Sequence, residues 1–172
     1  MHRSRIMPAC VGAVLIGTLL GPPTVGLSIT PATAPQAAVW GWPVDPPHRI
    51  VASFRGPQTP YAAGHRGIDL AAAAGDPVLA VHDGVVAFAS VVVDRPVLTL
   101  AHEGNVVSSV EPVLALVSLG DRVVSGQRIG TVTDGGHCVA CLHLGVRFTG
   151  QYVSPQLFLG GVPRAVLLPL PR

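Results

Sequence analysis

The sequence contains no lysine: all 11 of its Lys+Arg residues are arginines. This absence excludes chemistry that needs a lysine, including Schiff-base catalysis, a phosphate-binding P-loop and the attachment of a biotinyl or lipoyl group. Charged residues make up only 12% of the chain, against about 25% in an average globular protein. The net charge of +2 is small and scattered, so nothing in the composition indicates nucleic-acid binding.

Hydrophobic residues, in contrast, make up 49% of the 172 residues, which is enough for a core in one compact domain. The 20 glycines and 17 prolines favour many turns and short strands over long helices.

The first residues resemble an export signal. A basic start, with Arg3 and Arg5, precedes an apolar run over 8–20 that is shorter than the roughly 20 residues needed to span a bilayer. We therefore predict a signal peptide over 1–34, with cleavage within 26–38, and an extracytoplasmic location, secreted or associated with the cell wall. The alternative is a retained N-terminal anchor, which would be the only contact with a membrane.

The region after the signal divides by composition. A spacer rich in proline and alanine begins near residue 21 and ends over 35–39, a domain is expected over 40–160, and a C-terminal tail over 161–172.

Two cysteines remain after signal removal, Cys138 and Cys141, in a C-x-x-C spacing. In an oxidising compartment the expected state is a disulfide. A reduced pair that binds zinc or takes part in redox chemistry is the alternative.

Short, β-branched apolar runs separated by turn residues predict an all-β fold, a compact antiparallel β-sandwich with short loops and little helix. The predicted strands cover 49–54, 77–81, 84–93, 96–102, 105–110, 122–124, 128–132, 142–148 and 152–153. Short helices are expected only at 70–74 and 155–159. The similarity of 75–86 to 120–132, each beginning Gly-Asp, indicates a duplicated sandwich of the hybrid barrel type.

Two histidine-containing strings could carry chemistry. His65 and Asp69 lie four residues apart in GHRGIDL, and both residue types are zinc ligands, although this spacing alone also fits a helix cap or a surface pair. His143 lies in CLHLGV, where alternation places it on the strand face opposite the leucines.

Taken together and in order, the strings resemble the lysostaphin-type (LytM-like) cell-wall metalloendopeptidases. The matching strings are Trp42-Pro43-Val44, His65 to Asp69, Gly75 to Val86, Gly120 to Gly130, Leu142-His143-Leu144 and Val153 to Leu159. The resemblance implies a β-sandwich with one Zn²⁺ and cleavage of peptide cross-bridges in bacterial peptidoglycan. It implies that His65, Asp69 and His143 are the metal ligands, which would leave a fourth position open for water.

The sequence departs from the family pattern at two positions. The first histidine of the family's H-x-H pair is replaced by Cys141, and Pro112 stands at the position of a second family histidine. The resemblance implies that these histidines orient the water and stabilise the oxyanion, and loss of one such donor typically lowers the rate about 10²–10³-fold.

Replacements for these histidines are few. His137, in the glycine-rich loop before the cysteines, is a candidate catalytic residue, although it also fits a solvent-exposed loop histidine. Glu111 is adjacent to Pro112, and because neighbouring strand residues face opposite ways we expect it to point away from the metal. Arg66 and Arg147 flank the implied cleft, where they would either contact substrate carboxylates or be solvated surface residues.

Three functional hypotheses follow. The first is an exported zinc metalloendopeptidase whose partners are peptidoglycan peptides. The second is a degenerate, non-catalytic LytM-like domain that binds cell-wall peptides or regulates another cell-wall hydrolase. The third treats His137, Cys138, Cys141 and His143 as a small zinc knuckle, a spacing that is atypical of such sites.

Overall fold

A computed structural model describes residues 39–59 and 61–160. The predicted signal segment 1–34, the spacer up to residue 38 and the predicted tail 161–172 lie outside the described residues. Among the described residues, no helical segment is long and apolar enough to cross a bilayer.

The described chain is built from short strands, as the turn-rich sequence predicts. The strands are β1 (Ile50–Ala52), β2 (Gly67–Ala71), β3 (Pro77–Leu79), β4 (Gly84–Val92), β5 (Arg95–His102), β6 (Val106–Glu111), β7 (Val113–Ala115), β8 (Arg122–Val123), β9 (Arg128–Val132), β10 (Cys141–Phe148) and β11 (Gln151–Val153). Single 3₁₀ turns cover Glu103–Asn105 and Pro155–Leu157.

These strands form two antiparallel sheets. The larger sheet has eight strands, seven of them in the order β1-β2-β10-β6-β5-β4-β8, and β11 pairs with the end of β10. The smaller sheet has the order β3-β9-β7. The predicted all-β antiparallel fold is therefore confirmed.

One buried cluster joins the two sheets. On β10, Leu142, Leu144 and Val146 are fully buried and alternate with residues of the opposite face. They belong to the same cluster as Leu98 of β5 and Ile129 of β9 in the smaller sheet. The outer face of β10 is therefore available to carry polar side chains.

The two Gly-Asp repeats, 75–86 and 120–132, are hydrogen-bonded to each other reciprocally, so that the start of each contacts the end of the other. Gly75 donates its backbone N–H to the carbonyl of Val132, and Gly120 donates to that of Val86, both at bond lengths of 2.8–2.9 Å. Each aspartate carboxylate accepts the N–H three residues earlier, Asp76 from Ala73 and Asp121 from Ser118. The internal similarity in the sequence thus corresponds to a repeated structural unit.

Two strands were missed from the sequence. These are β2 and β7. The segment 70–74 was predicted as a short helix, but its first two residues are the end of β2, and β7 begins directly after Pro112. The helix prediction is wrong because β2 is buried on both faces and its sequence GIDLA lacks the alternation that identifies a half-buried strand.

Candidate metal centre

Three strands of the large sheet carry polar side chains in one row. In the antiparallel register His143 of β10 lies directly opposite Asp69 of β2 on one side and Glu111 of β6 on the other. Because directly opposed residues project from the same face of a sheet, the three side chains share the outer face. Strand pairing alone therefore brings together residues separated by more than 70 positions.

His65 reaches this row from the extended segment that leads into β2. It forms a bridge with Arg55, and its position four residues before Asp69 places both side chains on the same face. Gly67, between them, provides space for the imidazole of His143. A Cβ at Gly67 would lie 2.6 Å from His143 Nε2 and would also collide with the carbonyl oxygen of Leu144.

Three histidine nitrogens point at a single carboxylate oxygen. Asp69 Oδ1 lies 2.7 Å from His143 Nδ1 and 3.1 Å from the Nε2 atoms of His65 and His137. The potential ligand atoms of all four residues lie within 4.8 Å of one another. For comparison, neighbouring ligands of a tetrahedral zinc are roughly 3.3 Å apart at zinc–ligand distances of about 2.0–2.1 Å.

The hydrogen bonding of His65 indicates that a cation belongs in this cluster. Its Nδ1 lies 2.8 Å from the carbonyl oxygen of Ser53, which can only accept, so Nδ1–H is the donor and, in the ligand form of the ring, the lone pair is on Nε2. Nε2 then presents a lone pair towards the Asp69 carboxylate. Two acceptors facing each other at 3.1 Å repel, whereas a metal ion between them would bind both. The donor set fits zinc.

The protonation states in the cluster also suit metal binding. Burial lowers the pKa of His143 by more than the nearby Asp69 raises it, which favours the neutral imidazole. Burial alone would raise the pKa of Asp69, but hydrogen bonds from His143 and His137 outweigh it and hold that pKa below its usual value. A neutral imidazole and an ionised carboxylate are the ligand forms that zinc requires.

His137 enters the site from a loop. Its Nε2 lies 3.1 Å from both carboxylate oxygens of Asp69, and its Nδ1 lies 3.6 Å from Glu111 Oε1. Glu111 in turn accepts a hydrogen bond of 3.3 Å from the guanidinium of Arg95. The sequence named His137 as a candidate only because of its position in the glycine-rich loop, and the structure brings it to the other three residues.

The expectation that Glu111 points away from the site is wrong. Glu111 lines the same groove as His137 and His143, whereas the adjacent Pro112 is buried and does not line it. The register with His143 places Glu111 on the groove side. Pro112 instead supports the loop of His137, because its carbonyl accepts the N–H of Thr133 at 3.2 Å.

Cys141 precedes His143 by two residues and therefore lies on the same face of β10. The structure pairs it with Cys138 in a disulfide, with the Cα atoms 5.9 Å apart, next to Asp69. A disulfide sulfur neither donates nor accepts a proton in catalysis. The disulfide remains a prediction for thiol titration, which should find no free thiol in residues 40–172.

The remaining histidines of the described residues lie outside this cluster. His48 stacks on Trp42. His102 Nδ1 lies 2.8 Å from the carbonyl oxygen of Asp83, and its Nε2 lies 2.8 Å from the hydroxyl of Ser108. His82 lies near Trp40. These three histidines are structural or surface residues.

A groove of ≈ 850 Å³ runs over the outer face of the large sheet. His65, His137 and His143 line it, with Arg66, Arg147 and Tyr152 among the other lining residues. Its size and its position beside the histidines suit an extended peptide.

Comparison with known proteins agrees with this architecture. Residues 63–155 match the model of peptidase family M23. An uncharacterised protein of Mycobacterium tuberculosis is 37% identical over 144 residues, which cover 80% of this chain and 57% of that protein. The murein hydrolase activator NlpD of Salmonella typhimurium is 28% identical over 135 residues, 77% of this chain and 34% of NlpD. The chain thus spans little more than half the length of the first relative and about a third of the second.

A solved structure extends the comparison to the fold. A zinc-containing peptidase from Vibrio cholerae superposes with a TM-score of 0.57 at 24% identity, covering 68% of this chain and 39% of that protein. The family match covers more than half of the 172 residues and includes His65, Asp69 and His143. The resemblance inferred from the sequence is confirmed, and the chain belongs to peptidase family M23.

Proposed function

We propose that this domain is an exported zinc metalloendopeptidase that acts on the peptide cross-bridges of bacterial peptidoglycan. The observation that carries the proposal is the convergence of His65, Asp69 and His143 on one point, with the His65 lone pair facing a carboxylate oxygen. Family membership and the similarity to NlpD, a murein hydrolase activator, support a substrate in the cell wall.

In this proposal His65, Asp69 and His143 hold the zinc ion. A zinc bound by three protein ligands lowers the pKa of its water towards neutrality and polarises the scissile carbonyl. The chain's own residues would supply the proton transfer that Cys141 and Pro112 cannot.

His137 is the residue proposed for that transfer. Glu111 Oε1 lies 3.6 Å from its Nδ1, just beyond hydrogen-bond length, and is itself held by Arg95. In the proposal the loop closes this gap when substrate binds, so that the carboxylate accepts an Nδ1–H and orients the ring. In the metal-free site Nε2 donates to Asp69, whereas with zinc on that carboxylate and the proton on Nδ1, Nε2 would carry a lone pair. It could then take a proton from the attacking water and return it to the leaving amine. His137, Glu111 and Arg95 would in this way replace the histidines that the family pattern places elsewhere.

Incubation of the zinc-loaded protein with purified peptidoglycan tests this function. The expected result is release of new free amino groups by the wild type and none by His143→Ala. If both proteins bind peptidoglycan and neither cleaves it, the hydrolase proposal is rejected.

One observation favours a second candidate, a non-catalytic domain that regulates another cell-wall hydrolase. His137 Nε2 is as close to Asp69 Oδ1 as His65 Nε2 is, so His137 could serve as a fourth metal ligand and close the position needed by water. Its test adds the zinc-loaded protein to a purified peptidoglycan amidase and measures the amidase rate. Stimulation without intrinsic cleavage would support this alternative, and an unchanged rate would remove it.

A further inference from the structure

One end of the groove is built from two arginines around a tyrosine. Tyr152 of β11 lies directly opposite Arg147 of β10 in the strand register. The guanidinium carbons of Arg147 and Arg66 each lie 5.8 Å from the centroid of the Tyr152 ring, a distance typical of cation–π contacts. This Arg66–Tyr152–Arg147 group is hereafter called the arginine clamp.

The arginine clamp shares its face with the candidate metal centre. His143, Gly145 and Arg147 are alternate residues of β10 and project from the same side of the sheet. Arg147 lies four positions after His143 on the strand, which is about 13 Å at roughly 3.3 Å per residue. An extended peptide whose cleaved bond lies at the metal centre would therefore place a side chain two to four residues away at the clamp.

The charge of Arg147 lacks a carboxylate partner within the described chain. No ion pair joins it to any carboxylate among residues 39–59 and 61–160. Its side chain is half-buried, and its ring contact with Tyr152 orients the guanidinium without neutralising it. Arg95, at the other end of the groove, differs in that it pairs with both Asp94 and Glu111.

We propose that the arginine clamp is a specificity site for a free carboxylate on the peptide, located a few residues from the bond at the metal centre. A guanidinium fork matches a carboxylate in a bidentate, charge-assisted pair, which is stronger and more directional than a neutral hydrogen bond. Tyr152 holds Arg147 in place, so less side-chain freedom is lost on binding. The inference rests on the proposed function for the choice of a cell-wall peptide as ligand.

The test compares two forms of one soluble peptidoglycan stem peptide, with the glutamate carboxylate either free or converted to the carboxamide. Calorimetry with the zinc-loaded protein measures both affinities. The free acid is expected to bind about tenfold more tightly, as the loss of one charge-assisted pair predicts. In Arg147→Gln the preference should fall to within about twofold, whereas Arg147→Lys should retain part of it.

Arg128→Gln is the matched control, because this exposed arginine of β9 lies outside the groove and its loss should leave the preference unchanged. Equal affinity for the two peptides, a preference that survives in Arg147→Gln, or failure of the free acid to bind at millimolar concentration would each overturn the inference. Added inorganic phosphate should compete only weakly with the peptide. Competition as strong as that of the peptide itself would indicate a general anion site and would also overturn the inference. The binding measurement does not depend on turnover, so it can be separated from the cleavage assay. If the protein prefers the free-acid peptide but does not cleave peptidoglycan, only the proposed hydrolase activity is rejected. If it cleaves peptidoglycan but shows no preference, only the role of the arginine clamp is rejected.

Discussion

The strand-borne and loop-borne parts of the candidate metal centre are held in place by different means. Asp69 and His143 sit at paired positions of adjacent strands, and their side chains are 5% and 13% exposed. His137 lies on a loop joined to the sheet region by backbone hydrogen bonds from Thr133 to Pro112 and from Ala72 to Ala140, and its side chain is 34% exposed. Two of the three proposed ligand positions are therefore fixed by sheet register, whereas the proposed catalytic position depends on local loop contacts.

This difference explains how the two parts can change independently. Replacing a strand residue of the row disturbs both register partners, whereas the loop can present a histidine from a new sequence position without altering the sheet. In this chain Cys141 lies on β10 two residues before the proposed ligand His143, and His137 approaches from the loop. The comparison predicts that substitutions in the strand-borne part abolish metal binding, while those in the loop-borne part change chemistry or coordination.

The largest effect is expected from His143→Ala. Loss of a direct ligand should lower zinc affinity by more than the roughly 10–100-fold typical of losing an outer hydrogen-bond partner. Competition with a chromophoric zinc chelator measures the affinity. His48→Ala is the control, because this exposed histidine lies outside the cluster. Unchanged affinity in His143→Ala would contradict the ligand assignment.

His137→Ala separates the two proposed functions. If His137 transfers protons, cleavage should fall about 10²–10³-fold while zinc affinity changes little. If His137 is a fourth ligand, zinc affinity should fall and any cleavage should increase. Chelator competition and the cleavage assay are run on the same preparations, and a variant equal to wild type in both would remove His137 from the site.

Gly67→Ala tests whether the site depends on the close approach of β2 and β10. The added methyl group would overlap the Leu144 carbonyl and crowd His143, so we expect destabilisation of about 1–3 kcal/mol in urea unfolding. Gly41→Ala is the matched control, since its nearest neighbours would lie 3.7 Å away, and its effect should stay within about 0.5 kcal/mol. Equal effects of the two substitutions would refute the packing argument.

His102 provides the smallest effect, in a region remote from the metal ligands. Burial lowers its pKa below 6.5, so the unfolded chain takes up a proton at a higher pH than the folded chain does. The contribution of His102 to stability is thus complete above pH 6.5 and declines as the pH falls below that value. The stability advantage of wild type over His102→Gln should shrink between pH 7.5 and about pH 5.5, and a constant difference would contradict this assignment.

Local sequence patterns were sufficient for most of the fold and for part of the site. Turn residues separated nine predicted strands, and the resemblance to the family singled out His65, Asp69 and His143, whose side chains the structure brings together. The strand β2 was missed because burial on both faces removes the alternation that marks a strand. The orientation of Glu111 was missed because it depends on pairing with His143, a residue 32 positions away in the sequence.

The most direct test of the metal centre is anomalous diffraction at the zinc absorption edge from crystals of the purified protein. The account predicts one peak about 2.0–2.2 Å from His65 Nε2, Asp69 and His143 Nδ1. The absence of a peak, or a peak bound to the sulfur atoms of Cys138 and Cys141, would contradict it.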